Sequence, residues 1–378
     1  MIIQSRRVFI AGQFIKAQIE IEDKKIKSVL PYGKEKPDRD YGEDRIVPGF
    51  IDVHTHGAYG YSAEEGEPSG IKQWVSRLPE EGVTAFLPTT SPNPKETIIK
   101  ALKNLREAKD MKMKGAEILG IHLEGPFFDE KFRGANEPDI VLPPSVEVFK
   151  EFQAISGNTI RYVTMACEHD KDFELTKYAV KNNIAVSLGH SGAKYEEAVL
   201  AIANGVTSFT HSFNAMLGLH HREPGVVGAL MASNTFAEII GDGQHVHPSV
   251  INVLFKARNN TKMVLITDSL MAKGLGKGIY EHEGRKIEID ERGTARILGT
   301  DTIAGSSLKI NRGIKLLVEE AMVSIEHALL SASLYPAQLI GADKKKGQIV
   351  SGLDADIVVM DDDYNVKQTY CLGEEMIR

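Results

Sequence analysis

The sequence predicts an α/β fold: a (β/α)8 barrel of the TIM type, joined to a small β-sandwich domain built from both chain termini. Three observations predict it. Short, continuously apolar runs recur through the middle of the chain, segments with helical apolar spacing separate them, and both ends show β patterns cut by polar turns. Apolar runs without alternation suit parallel strands covered on both faces. Eight of them with interleaved helices imply a closed barrel rather than an open sheet.

The terminal elements come first. Val8-Phe9-Ile10, the alternating Ala17–Ile21 and Ile26–Val29 read as strands, divided by Ala11-Gly12 and the charged turn Glu22–Lys25. The other end matches: Ala355–Met360 and Val366–Leu372 are strands around the turn Asp361-Asp362-Asp363. Neither end has residues enough for its own core, so the two are expected to form one unit with the barrel inserted between them. The expected division is 1–46 and 343–378 for the β domain and 47–342 for the barrel.

The barrel strands are predicted at Ile46–Val53, Ala85–Pro88, Ile118–Leu123, Tyr162–Ala166, Ala185–Leu188, Ser208–Thr210, Ala237–Ile240 and Met263–Thr267. Between them, Asn93-Pro94-Lys95-Glu96 offers an N-cap, a first-turn proline and a capping-box glutamate ahead of Ile98, Leu102 and Leu105. Tyr195, Ala198, Val199, Ile202 and Ala203 make one apolar helix face, closed by Asn204-Gly205. After the eighth strand, a β-hairpin insertion is expected near 280–298, turning at Asp290–Gly293. Helices near Leu308–Met322 and Ile325–Ile340 complete the barrel.

Composition narrows the function. At 378 residues and 42% hydrophobic, the chain supports a large core. It holds no run near the ~20 apolar residues of a membrane span, and no signal-peptide pattern at the N-terminus. A net charge of −7 without a long basic run disfavours nucleic-acid binding. Lys344-Lys345-Lys346 reads as a solvated turn. Two distant cysteines, Cys167 and Cys371, argue against a disulfide framework and fit a reducing cytoplasm.

The chemistry lies at the strand ends. His54, His56, Glu124, His190, His211 and Asp268 each follow an apolar run. In a parallel barrel those ends meet on one rim. His54 and His56, two apart, share one strand face. Taken singly, the histidine pair can be polar packing, Glu124 a salt-bridged wall residue and Asp268 a helix cap. Together, four imidazoles and two carboxylates make a metal site, with Glu124 placed to bridge two cations and Asp268 to move protons. His122 reads as packing one layer deeper. His169, His220, His247, His282 and His327 fall at unremarkable loop or helix positions.

Longer motifs then become legible. His54-Thr55-His56, His122-Leu123-Glu124-Gly125-Pro126, Gly189-His190-Ser191, His211-Ser212-Phe213-Asn214-Ala215-Met216, His221-Arg222-Glu223-Pro224-Gly225, Asp242-Gly243-Gln244-His245 and Thr267-Asp268-Ser269 together resemble the amidohydrolase superfamily, and within it the amino-sugar-phosphate deacetylases. The resemblance implies hydrolysis of the acetamide of N-acetylglucosamine 6-phosphate to acetate and glucosamine 6-phosphate. It implies one divalent ion, Zn or Fe, on Glu124, His190 and His211, and a second favoured by His54 and His56 and reached by Asp268. Asn214, the backbone at Ala215, and His245 would contact the sugar phosphate. A homodimer is implied, Arg222 reaching the neighbouring site. Independently of the resemblance, Ala304-Gly305-Ser306-Ser307 reads as a helix start whose free N–H groups can receive ligand oxygens, or as an ordinary helix start.

Two departures stand out. Where some relatives carry a histidine twelve residues after the glutamate, this chain has Asn136, an uncharged donor for the acetyl oxygen. Cys167 stands where relatives often have proline and reads as a loop detail. The rival readings are the galactosamine epimer, another amidohydrolase such as a cyclic-amide hydrolase or deaminase, and a catalytically silent barrel.

Overall fold

The computed structural model describes residues 1–64, 67–135, 140–282 and 284–376. Eight parallel strands form the barrel: β1 (Phe50–Thr55), β2 (Val83–Thr90), β3 (Ile121–Glu124, preceded by the short Glu117–Ile118), β4 (Ile160–Met165), β5 (Ala185–Leu188), β6 (Ser208–Phe209), β7 (Phe236–Ile240) and β8 (Met263–Ile266). They pair in chain order. The ring closes where the Asp268 N–H donates to the His54 carbonyl at 2.9 Å and Thr55 bridges Ser269. Every residue of β1, β2 and β8 is buried, as continuous apolar runs require of strands with helices on one face and a filled interior on the other.

The first predicted strand, Ile46–Val53, is two strands. Arg45–Pro48 pairs with Ile2–Ile10 and Ile357–Met360, whereas Phe50–Thr55 enters the barrel. Gly49 is the joint, because a Cβ there would lie 2.2 Å from Thr84 Oγ1. The terminal sheet runs Glu374–Met376, Val366–Cys371, Ile357–Met360, Arg45–Pro48, Ile2–Ile10, Gln13–Glu22, Lys25–Pro31. Both termini therefore build the small β-sandwich, around Ile3, Val8, Ile19, Ile46, Ile357 and Tyr370.

Lys346 corrects the solvated-turn reading of Lys344–Lys346. Its side chain is 2% exposed, and Nζ lies 2.6 Å from Asp356, 2.9 Å from Asp354 and 2.8 Å from Glu117. It ties the end of the barrel chain to the terminal sheet; Lys344 and Lys345 are exposed. Removing one member of a buried ion cluster strands the others, so Lys346→Met should destabilise the fold by roughly 3–5 kcal/mol. Denaturant unfolding checks this, and a loss below about 1 kcal/mol would reject the role.

Other elements shift modestly. The predicted Asn93 cap gives way to Pro94, whose φ of −49° and ψ of 142° precede the helix Lys95–Asp110. In Tyr195–Ala203 the buried residues are Ala198 and Ala201, and Val199 is 41% exposed. The helix expected over Ile325–Ile340 breaks at Ser333 (φ −133°) into Ile325–Ala332 and Leu334–Leu339. The expected hairpin is a four-stranded meander: Gly278–His282, Arg285–Ile289, Thr294–Ile297 and Ile303–Ser306. Its Ile287, Ile289 and Ala295 pack on Leu270 and Ala272, which sets it over the barrel mouth. Among the described residues, no helix is long and apolar enough to cross a membrane.

Candidate metal centre

The six strand-end side chains converge, in two groups: His54, His56 and Asp268, and Glu124, His190 and His211, the ligand atoms of each within 4.8 Å of one another. Glu124 divides its two oxygens between them. Oε1 lies 3.3 Å from His190 Nε2 and 3.2 Å from His211 Nε2. Oε2 lies 3.4 Å from His54 Nε2 and 3.1 Å from His56 Nε2. Asp268 Oδ1 is 3.2 Å from His56 Nε2 and 3.6 Å from His54 Nε2.

The donor chemistry fits divalent cations. The Nε2 atoms of His190 and His211 face each other at 3.0 Å, and those of His54 and His56 at 3.3 Å. Outer partners set the tautomers. His190 Nδ1 donates to the Phe132 carbonyl at 2.9 Å, and His54 Nδ1 lies 3.0 Å from Glu238 Oε2. Each of these acceptors needs a proton on Nδ1, which leaves the Nε2 lone pair aimed inward. His56 Nδ1 is 3.1 Å from Ser91 Oγ. Facing lone pairs of this kind, with carboxylates among them, make two groups that could hold a divalent metal ion.

The backbone aims these groups. His190, His211 and Asp268 have φ of 50°, 28° and 48°. A left-handed residue without glycine costs of order 1–3 kcal/mol and recurs at functional sites. Here the reversal at the strand end turns each side chain back over the axis. Gly305 allows the insertion to approach, since a Cβ at its φ of 57° would sit 2.7 Å from Leu270 and 3.0 Å from the Asp268 carbonyl. Phe128 stacks on the His190 ring at 3.9 Å. Behind it, Glu168 accepts from Ser191 Oγ and Gly192 N, both at 2.8 Å.

Electrostatics follows from burial against a dense mix of charges. Burial alone would raise the Asp268 carboxyl, but the neighbouring His54 and the His56 hydrogen bond hold it well below the carboxylate range. Glu124, which burial would also raise, is likewise depressed by His54, His190 and His211. Burial would lower His56, yet Asp268 and Glu124 push it up to about 10. His122 is lowered by burial and hydrogen-bonds Thr164 Oγ1 at 2.8 Å, so it is packing, as predicted.

A cavity of about 280 Å³ opens above the six residues, and Asn214, Ala215, His245, Ala304 and Gly305 line it. The Asn214 amide donates to the His211 and Ser212 carbonyls at 3.1 and 3.2 Å. His245 Nδ1 is held 2.6 Å from Asp242. Ser306 departs from expectation. Residues Ile303–Ser306 are a strand, and the next helix starts at Ile310. The Ser306 N–H and hydroxyl donate to the carbonyls of Asp268 and Thr267. No helix start faces the ligand there. Arg222 is exposed, beside His221 at 2.7 Å, in a separate hollow with Tyr195 and Leu217. Asn136 lies outside the described residues. Cys167 is buried, and burial pushes its thiol well up, which fits no nucleophile.

Sequence reasoning missed three residues. His282 and Arg285 of the insertion line the cavity, although His282 had looked unremarkable. Only a meander folded over the mouth brings them there. Glu238 is the third, and it had a signal: a lone carboxylate inside the apolar run Phe236-Ala237-Glu238-Ile239-Ile240.

A closed parallel barrel with buried histidines and carboxylates on the C-terminal rim, beneath a small-molecule cavity, defines a metal-dependent hydrolase. The chain belongs to the amidohydrolase family, whose sequence profile matches residues 45–376. It is 38% identical over 366 residues to an N-acetylglucosamine-6-phosphate deacetylase of Bacillus subtilis, covering 94% of this chain and 91% of that one. It is 32% identical over 358 residues to an N-acetylgalactosamine-6-phosphate deacetylase of Escherichia coli O157:H7, covering 94% of each. Among solved structures, an N-acetyl-D-glucosamine-6-phosphate deacetylase of Mycobacterium smegmatis superposes with a TM-score of 0.94 at 27% identity. That match covers 100% of this chain and 99% of the other, an aspartate-to-alanine mutant in complex with N-acetyl-D-glucosamine-6-phosphate.

Proposed function

We propose that this protein hydrolyses the acetamide of N-acetyl-D-glucosamine 6-phosphate, releasing acetate and D-glucosamine 6-phosphate. The observation that carries the reading is the division of the Glu124 oxygens between two histidine pairs, with Asp268 on the same rim. The relatives' shared activity and full-length coverage support the substrate class.

Glu124, His190 and His211 would hold one divalent ion, and His54, His56 and Asp268 a second, with Zn or Fe suited to the imidazole-rich set. Such ions supply Lewis-acid polarisation of a carbonyl and acidify water to a pKa of roughly 7. Asp268 accepts the proton of the attacking water on its carboxylate. It then returns that proton to the departing amine, which otherwise leaves poorly. Asn214, the Ala215 backbone and His245 orient the phosphorylated sugar, and the insertion sequesters it from bulk water.

We further read the chain as a barrel inserted into a β domain built from both termini. The pairing of Arg45–Pro48 in the terminal sheet moves the expected boundary at 46/47 to Gly49, and the other boundary lies near 342. The assembly is read as a homodimer in which Arg222 serves the neighbouring site; its exposed position outside its own cavity supports that geometry. Buried, unpaired Cys167 and Cys371 suit a reducing, cytoplasmic setting.

Metal analysis of the purified protein, paired with acetate release from both epimeric amino-sugar phosphates, tests the reading. Faster turnover of the galactosamine epimer would favour the second reading, which the Escherichia coli relative supports. Ammonia release without acetate would reject both. Arg222→Ala should raise KM for the phosphorylated substrate about 10- to 100-fold, the value of a charge-assisted hydrogen bond, and change kcat little. An equal rise for the phosphate-free sugar would remove the phosphate assignment.

A further inference from the structure

Glu238 sits in the middle of β7, fully buried. A carboxylate in that setting costs several kcal/mol unless specific partners offset it. Its Oε2 accepts from two groups, His54 Nδ1 at 3.0 Å and the His211 N–H at 3.0 Å. These belong to different ligand groups of the rim. One oxygen thus holds a side chain of the first group and the backbone of the second.

The two contacts differ in consequence. The His211 contact fixes a main-chain position, which any acceptor oxygen would serve. The His54 contact fixes a ring: a carboxylate oxygen only accepts, so Nδ1 carries the proton and Nε2 turns its lone pair toward His56 Nε2, 3.3 Å away. The negative charge behind the ring also makes Nε2 a stronger donor to a cation. His56 has only the Ser91 hydroxyl in the same position, and His190 a carbonyl. Of these three imidazoles, His54 alone is backed by a full charge.

We propose that Glu238 is a positioning residue that sets the cation affinity of the His54–His56–Asp268 group selectively, leaving the Glu124–His190–His211 group nearly untouched. The inference rests on the two-ion reading above. Loss of an outer carboxylate partner typically costs about 10- to 100-fold in metal affinity.

The test is a Co(II) titration of the metal-stripped full-length protein. Visible ligand-field bands and elemental analysis after desalting report the ions bound, and thermal unfolding reports the fold. Wild type should take up two ions. Glu238→Gln keeps an acceptor for the His211 N–H, so its first ion should bind as in wild type. Its second should weaken about 10- to 100-fold. Should that variant not fold, Glu238→Asp keeps the charge but draws the shared oxygen back from both His54 Nδ1 and the His211 N–H. The main chain there stays tied by the Ser212 N–H to the Glu238 carbonyl at 2.9 Å, so the second ion should still weaken more than the first. Wild-type affinity for both ions, or an equal loss of both, in a folded variant would overturn the proposal. A wild type that binds a single ion would overturn the two-ion reading and this inference with it. That failure is read in the unmutated protein, so it is distinct from the others.

Discussion

Glu124→Gln is expected to strip ions from both groups and to lower turnover about 10⁴-fold, since the metal contribution is worth several kcal/mol. Among the described residues, no other side chain of the rim faces all four imidazoles. Oε1 serves His190 and His211 and Oε2 serves His54 and His56, at 3.1 to 3.4 Å. Glutamine keeps the volume but replaces one acceptor with an N–H₂ donor, which repels a cation and hydrogen-bonds the Nε2 lone pairs that would otherwise hold it. Whichever way the amide turns, one group loses its oxygen, and both lose the charge. Elemental analysis with acetate release checks the result. A full metal complement in the folded variant would show that Glu124 is not the shared ligand.

Asp268→Asn is expected to separate binding from chemistry. The ion of the Glu124–His190–His211 group and sugar-phosphate binding should persist, while kcat falls about 10³-fold, roughly 4 kcal/mol of barrier. Asp268 stands on the rim as a carboxylate, held well below the usual carboxylate range by His54 and His56 against burial, so it is ionised. An amide of equal size cannot take up the proton of the attacking water or deliver it to the amine. Both halves of the reaction therefore suffer. Substrate affinity by calorimetry, compared with single-turnover acetate release, reads the two effects apart. A kcat within tenfold of wild type would reject the proton-transfer role, and a KM effect alone would reassign Asp268 to binding.

Much of this was legible before any coordinate. A barrel strand covered on both faces has to be a short apolar run, so eight runs announced eight strands, and the chemistry followed each run's last residue. His54, His56, Glu124, His190, His211 and Asp268 were found by that rule alone. The misses have local causes. Ile46–Val53 looked continuous because glycine is silent in an apolar count, yet Gly49 lets the chain pass Thr84 between two sheets. Lys346 looked like its exposed neighbours Lys344 and Lys345, because its partners Asp354, Asp356 and Glu117 come together only on folding. The Ala304–Ser306 run has helix-start composition, but the meander claimed it as an edge strand.

What the amino-acid sequence determined by itself is the barrel, its companion β domain and the six side chains that meet on its rim. These depend on periodicity and strand ends, which are properties of neighbouring residues. Tertiary structure alone decided which oxygen of Glu124 faces which histidines, that His282 and Arg285 roof the cavity, and that Glu238 stands behind His54 and His211. Those facts depend on strand register, left-handed turns at the rim and the docking of an insertion. Each joins residues far apart in the chain, where no short-range pattern carries a trace of the contact.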